Sequence, residues 1–327
     1  MVVDNLDVGG SKVNEKKYKK RISGPVVVIS IIIGIIIFMN VWGTVIDGLV
    51  GRESVLPREG NLIDVIYVEG VIAEGEATYN HGWTLNQIDH LMNDDHNKGI
   101  FLYVNSPGGG IYESDELYLK LLQYKELTGR PVYAYMAQTA ASGGLYVSMA
   151  ADKIYANRMT MTGSIGVIMS MTDTSGLEEL IGIKTENIVS GKNKAMGNPL
   201  TQEQRDILQS LIDESYNIFV DVVAESRNLT VEQVKELADG RVYSPEQAEK
   251  LGLIDGIATL EEAMSIMQVD NGLESCGWYS EQSPTVGLLD ILLGAKVEGK
   301  ELLSQFNDIQ KYIEANKIPK LMYYYGN

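Results

Sequence analysis

Gly99-Ile-Phe-Leu-Tyr-Val104 runs directly into Asn105-Ser-Pro-Gly-Gly-Gly110 and then into Ile111-Tyr-Glu-Ser-Asp-Glu-Leu-Tyr-Leu-Lys-Leu-Leu-Gln-Tyr-Lys-Glu-Leu127. The first piece is a short apolar run closed by turn residues, the pattern of a fully buried strand. The third reads as a helix. Strand, glycine turn and helix in that order are the opening of a β-α unit. Three successive glycines permit positive φ and leave their amide N–H groups uncovered by side chains. Such a turn is either a plain connection or a cradle for an anion or a developing oxyanion.

The same alternation continues on both sides. Strands are expected at Leu62–Val68, Val132–Met136, Lys153–Ala156, Val167–Met169 and Thr185–Val189. Helices are expected from Thr84, as N-cap, to about Asp94, and near Leu145–Ala150, Gly176–Ile181, Thr230–Ala238, Pro245–Leu251 and Leu260–Met267. Thr201–Arg227 carries Ile207, Leu208, Leu211, Ile212, Phe219, Val222 and Val223 at helical steps. Thr201 followed by Gln204 is a capping-box start for that helix. The expected class is therefore α/β with a largely parallel sheet. Past Val269 the pattern weakens, although Leu288–Leu293 and Leu302–Tyr312 look helical. The apolar tail Leu321-Met-Tyr-Tyr-Tyr-Gly-Asn327 needs a place to dock, on a partner subunit or in the protein's own cleft.

Composition narrows the function. With 45% hydrophobic and 22% charged residues, the 327-residue chain is not disordered as a whole. Its formal charge of −17 argues against nucleic acid as a partner, because phosphate binding needs a cationic surface. The single cysteine, Cys276, excludes an intramolecular disulfide and any multi-cysteine metal site. No cofactor and no metal is expected.

No charged residue falls between Arg21 and Asp47, and the core of that stretch, Pro25–Met39, is almost wholly aliphatic. With Val41 and Trp42 it is long enough to cross about 30 Å of hydrocarbon as a helix. Lys12, Lys16, Lys17, Lys19, Lys20 and Arg21 precede it, so the N-terminus is expected in the cytoplasm and the remainder outside. The alternative, a cleaved signal peptide, has an apolar core of only 7–15 residues and a small-residue cleavage site, and neither fits this segment.

A second turn, Ala140-Ala141-Ser142-Gly143-Gly144, stands between an expected strand and an expected helix. Ser142 could be an openly presented nucleophile at a helix N-terminus, or simply an N-cap. A nucleophile needs a base. The histidines, His81, His90 and His96, all precede residue 100, so the orders Ser-Asp-His and Ser-His-Asp are impossible, and all three are expected to face solvent. A lysine of lowered pKa is the remaining choice. Lys194, beside uncharged Ala195, Met196 and Gly197, is the first candidate and Lys192 its rival; each could equally be an exposed surface charge.

Five motifs, in order, carry a family resemblance: Asn105–Ser114, Ala141-Ser-Gly-Gly144, Thr162-Gly-Ser-Ile-Gly-Val167, Ser190-Gly-Lys-Asn-Lys194 and Gly240–Asp255. Across roughly residues 60–267 the chain resembles the signal peptide peptidase A group of peptidase family S49. The resemblance implies the ClpP/crotonase-like α/β fold, with repeated β-β-α units, and a half-length, membrane-anchored serine peptidase. It implies Ser142 as nucleophile, Lys194 as general base, Ser164 as the residue orienting that lysine, and the backbone amides of Gly109 and Gly143 as the oxyanion hole. It also implies remnant signal peptides and other unfolded segments as substrates. Finally, it implies a homo-oligomeric ring or dome, such as an octamer, in a bacterial cell membrane, with Ser142 and Lys194 supplied by the same or different protomers.

The expected organisation is a cytoplasmic N-terminus (1–21), a membrane helix (22–46), a linker (47–60), the peptidase domain (61–270) and a C-terminal extension (271–327). Two other readings share the fold: an acyl-CoA enzyme of the crotonase kind and a non-catalytic membrane assembly factor. The tail 321–327 is a candidate self-substrate or inhibitor of the catalytic groove.

Overall fold

The computed structural model describes residues 58–76, 78–281 and 322–324. The segment expected to span a membrane, 22–46, and the expected helices at 288–293 and 302–312 lie outside the described residues. Among the described residues no helix is long and apolar enough to cross a membrane.

The strands are β1 (Leu62–Glu69), β2 (Asn97–Ser106), β3 (Gly108–Gly110), β4 (Val132–Ala141), β5 (Lys153–Ala156), β6 (Met161–Gly163), β7 (Val242–Tyr243), β8 (Gly256–Ile257), β9 (Gly277–Tyr279) and β10 (Met322–Tyr324). The helices are α1 (His81–Met92), α2 (Ile111–Thr128), α3 (Gly143–Ser148), α4 (Ser175–Ile181), α5 (Gln202–Arg227), α6 (Val231–Leu237), α7 (Pro245–Lys250) and α8 (Leu260–Asn271). Strands β7-β6-β4-β2-β1-β9 lie side by side, with β5 and β8 continuing from β4. In this sheet the pairs β1–β2, β2–β4, β4–β5, β4–β6, β5–β8 and β1–β9 are parallel and, among the described residues, only β6–β7 is antiparallel. The α/β reading with a parallel-rich sheet holds, and it fits the ClpP-like class.

Both faces of this sheet are covered, as side-chain alternation requires of a parallel sheet. Along β2, Ile100, Leu102 and Val104 enter the larger core with α1, α2 and α3, while Phe101 turns to a smaller core with Tyr133, Tyr135 and Met267. Helix starts follow local hydrogen bonding. Thr201 and Gln204 form the expected capping box on α5, and the same device starts α6, α7 and α8.

Several local expectations are corrected. Asn80, not Thr84, caps α1, accepting from the Trp83 amide at 3.0 Å, so the helix begins at His81. His81 is buried rather than solvent-facing, 2% exposed, because its ring packs into the start of α1 with both nitrogens hydrogen-bonded. Residues 185–189 form no strand; Ile188 is 98% exposed and has no sheet edge to join. Val167–Met169 likewise forms no continuous strand. Helix α5 buries Phe219, Val220, Val222 and Val223, yet leaves Ile207 and Leu211 exposed.

Strand β4 positions the site. Its first half pairs with β5 through Tyr133–Met136, and its second half pairs with β6 through Thr139–Ala141. Its register against β2 shifts between Val104 and Ser106. The strand thus changes neighbours midway and delivers its last residues beside the glycine turn.

Candidate active site

The glycine turn is a short strand. The Ile72 amide donates to Gly108 O at 3.0 Å, and the Gly110 amide donates to Ile72 O at 2.8 Å. Backbone groups alternate in direction along a strand, so the intervening Gly109 turns its N–H and C=O to the opposite side. There β10 pairs antiparallel, with Tyr323 opposite Gly109, Met322 opposite Gly110 and Tyr324 opposite Gly108. Glycine is required at 109: a Cβ there would lie 2.1 Å from Ile72 O.

The rest of the motif braces this strand. Ser106 Oγ accepts from the Gly108 amide at 3.0 Å, and Asn105 Oδ1 accepts from the Thr139 amide at 3.2 Å. Asn105 and Ser106 thereby tie the glycine strand to the end of β4. Sequence reasoning singled out the glycines and passed over these two; their place in the same motif was the available signal.

Ser142 leaves β4 and caps α3 with φ 54° and ψ −116°. Positive φ is uncommon for a residue with a Cβ and marks a held, strained turn. Two contacts hold it: the Ser142 amide donates to Gly163 O at 2.8 Å, and Ser142 O accepts from the Tyr146 amide at 2.9 Å. Its side chain makes no capping hydrogen bond, so the N-cap reading accounts for its place but not for its hydroxyl. That hydroxyl is buried and has no hydrogen-bond partner among the described residues; Ser114 Oγ is the other such group.

Gly143 opens α3, and its N–H belongs to the first turn, where helix amides have no intrahelical acceptor. It lies close to the glycine strand: a Cβ on Gly143 would sit 3.1 Å from the Gly109 nitrogen. Ser164 is buried with φ 52°, and its amide donates to Arg241 O at 2.7 Å. Because Ala141 stands opposite Gly163 in parallel strands, Ser142 and Ser164 leave the sheet side by side. Four of the five expected site residues, Gly109, Ser142, Gly143 and Ser164, therefore converge.

Lys194 does not join them within this chain. It is exposed, its amide closing a turn on Gly191 O at 2.9 Å, and no described hydrogen bond links it to Ser142. Ala195, Met196 and Gly197, expected to bury it, leave it in solvent because segment 185–198 packs on little of the core. Lys192 is exposed too and ion-paired with Glu203 at 2.6 Å.

His81 is no alternative base for Ser142. Its Nδ1 is 3.0 Å from the Tyr79 hydroxyl and its Nε2 is 2.8 Å from Glu116 Oε2. The His81 hydrogen bond, helped by one from Tyr112, holds the Glu116 carboxyl below its ordinary range against the opposing effect of burial. Among the described residues no group of His, Cys, Asp and Glu is arranged to hold a metal ion.

The arrangement places a buried, unpartnered hydroxyl at the start of α3, close to a glycine strand whose other edge pairs with an extended segment of the chain. That is suited to acyl transfer. Comparison with known proteins points the same way. The family described as "Peptidase family S49" matches residues 125–274. A putative signal peptide peptidase of Enterococcus faecium is 39% identical over 274 residues, 79% of each chain. A putative protease of Methanocaldococcus jannaschii is 33% identical over 301 residues, 85% of this chain and 96% of its own. "Protease 4" of Haemophilus influenzae is 31% identical over 254 residues, 74% of this chain and 41% of that longer one.

Proposed function

The chain belongs to peptidase family S49 and is a serine peptidase, and from that premise we propose that it cleaves unfolded peptides, remnant signal peptides among them, with Ser142 as nucleophile and Lys194 as general base. The observation that carries this reading is the held, positive-φ turn at Ser142, whose hydroxyl is buried and unpartnered among the described residues where α3 meets the glycine strand.

The substrate lies as an extended strand antiparallel to Gly108–Gly110, as β10 does. Ser142 Oγ attacks the peptide carbonyl while its proton passes to the neutral Lys194 amine. The carbonyl electron pair moves onto oxygen and is held by the two amides. Collapse breaks the C–N bond, and the lysine returns the proton to the leaving amine. Water then hydrolyses the ester by the same steps. The Ser164 hydroxyl, next to Ser142, orients the amine. Only an unprotonated amine accepts the proton.

Lys194 reaches Ser142 from a neighbouring copy of the chain. Two features support this: the lysine is exposed in the single chain, and apolar side chains cluster on the same stretch. Leu177, Leu180, Ile181, Ile183 and Ile188 are exposed, as are Ile207 and Leu211 on α5. A soluble monomer rarely leaves so many apolar residues of one segment in water. The assembly is a membrane-anchored ring or dome, held by the 22–46 segment with its catalytic domains outside the cytoplasm. The C-terminal strand β10 occupies the substrate edge as a self-substrate or inhibitor.

The deciding experiment is covalent labelling with a fluorophosphonate, followed by peptide mapping. The proposal expects the adduct on Ser142, with neither label nor peptide cleavage in Ser142→Ala. A labelled site elsewhere, or turnover surviving in Ser142→Ala, would overturn it. An acyl-CoA enzyme of this fold would show thioester turnover and no adduct.

A further inference from the structure

We propose that the Ser114 hydroxyl is a third hydrogen-bond donor to the reacting oxygen, beside the Gly109 and Gly143 amides. The proposal rests on the peptidase reading and adds a side chain to it.

Ser114 stands on the first turns of α2, and it is fully buried, 0% exposed. Its Oγ has no hydrogen-bond partner among the described residues. A buried hydroxyl without a partner costs about 1–3 kcal/mol, and folded proteins keep few of them. Serines inside helices commonly return their hydroxyl to the carbonyl one turn back. Ser148 does this with Gly144 O at 2.8 Å, and Ser114 does not. The other unpartnered buried hydroxyl among the described residues belongs to the nucleophile itself.

The space around Gly143 shows what the Ser114 hydroxyl lies beside. Gly143 does not adopt a positive φ, so conformation does not explain its glycine. Space does. A Cβ at 143 would lie 2.5 Å from Ser114 Oγ and 3.1 Å from the Gly109 nitrogen. The missing side chain therefore leaves Ser114 Oγ and the Gly109 nitrogen both within 3.1 Å of one point beside Gly143. Both distances are measured from one point, which brings the two donors near enough for a single oxygen atom about 2.7–3.1 Å from each to accept from both.

A hydroxyl rotor suits this task. It has no fixed partner in the resting site and turns its proton toward negative charge as that charge forms. During attack the Ser142 Oγ–carbon bond forms, the carbonyl π pair moves to oxygen, and the Ser142 proton goes to the lysine. Ser114 keeps its own proton and contributes one hydrogen bond to the oxyanion. On collapse of the intermediate that bond weakens again.

The test uses the full-length protein and Ser114→Ala. The assignment expects kcat/KM to fall by about 10²–10³-fold, the usual loss for one oxyanion donor, with most of the loss in kcat. A peptide aldehyde, which forms a tetrahedral adduct on Ser142, should lose affinity by a similar factor. The matching peptide amide of the same sequence, bound without reacting, should keep its affinity. The melting temperature should stay level or rise, because an unpartnered buried hydroxyl has been removed. Undiminished turnover in Ser114→Ala, or equal losses for aldehyde and amide, would overturn the assignment. So would a clear fall in melting temperature with the aldehyde-to-amide ratio preserved, which would make the hydroxyl part of the fold. If the wild-type protein itself fails to label at Ser142, the peptidase reading falls and this assignment with it. Normal labelling of the wild type beside an unaffected Ser114→Ala refutes this assignment alone.

Discussion

The Ser142 amide donates to the Gly163 carbonyl at 2.8 Å, one residue before Ser164. This bond extends the β4–β6 ladder one step past Ala141, and it is the step at which both strands turn into positive φ. Two serines from separate motifs are thus held side by side by backbone alone, before any side-chain contact forms.

The proposed role of Ser164 is tested at that adjacency. If Ser164 orients the lysine as proposed, Ser164→Ala should lower kcat by about 10–100-fold, about 1.4–2.7 kcal/mol in the barrier. Steady-state kinetics of wild type and variant check this, beside the melting temperature; an unchanged kcat would assign Ser164 to folding only.

The proposal that Lys194 comes from a neighbouring copy is tested by complementation. Ser142→Ala and Lys194→Ala should each be inactive alone. Dissociated, mixed and reassembled, they should regain part of the wild-type rate, measured by peptide cleavage across mixing ratios. Lys192→Ala should keep most activity, since that amine is already paired with Glu203 at 2.6 Å. Inactive Lys192→Ala beside active Lys194→Ala would exchange the two assignments.

Tyr323 pairs with Gly109, the strand edge on which the proposed mechanism seats the substrate, so under that proposal the tail competes with it. Deleting 321–327 should lower KM for short peptides several-fold with little change in kcat. Intact-mass spectrometry of wild type and Ser142→Ala reports on self-processing: a shorter C-terminus in the wild type alone is the expected result, and identical termini would refute it.

Gly144 lets α3 lie against β2, and a Cβ there would come within 2.7 Å of Ser106 O. Gly144→Ala should therefore push the helix from the strand and move the Gly143 amide out of line. Activity should fall at least about 100-fold, since a shift of this kind disturbs an oxyanion donor. Melting temperature should fall with it, measured by calorimetry.

Asp255 gives a pH-dependent stability. Burial alone would raise its carboxyl, but Arg227 at 3.0 Å, the Ile154 amide at 2.8 Å and Lys153 together hold it below its ordinary value of 3.8. A depressed carboxylate stabilises the fold above its unfolded pKa and loses that contribution as pH falls through the folded value. Asp255→Asn should destabilise by about 1.5–3 kcal/mol at pH 7, the range for hydrogen bonds to a charged group, and by much less in acid. Urea unfolding from pH 7 down to pH 3 measures the convergence.

The apolar runs at 62–68, 99–104 and 132–136, with the capping box at Thr201, determined strands and helix starts by themselves, because burial on both sheet faces and end-capping are local demands on residue type. The two glycine turns were equally legible, since crowding and uncovered amides need glycine. Tertiary structure alone decided three further things. The Gly108–Gly110 segment becomes a strand because Ile72 and the tail residues 322–324, far apart in the chain, hydrogen-bond to its two edges, and backbone pairing leaves no side-chain pattern to read. His81 is buried with hydrogen bonds to nearby Tyr79 and to Glu116 far along the chain, and its polar neighbourhood concealed the second, long-range partner. The apolar stripe of α5 stays half exposed, because periodicity records which face avoids water but not whether the covering surface belongs to the same chain.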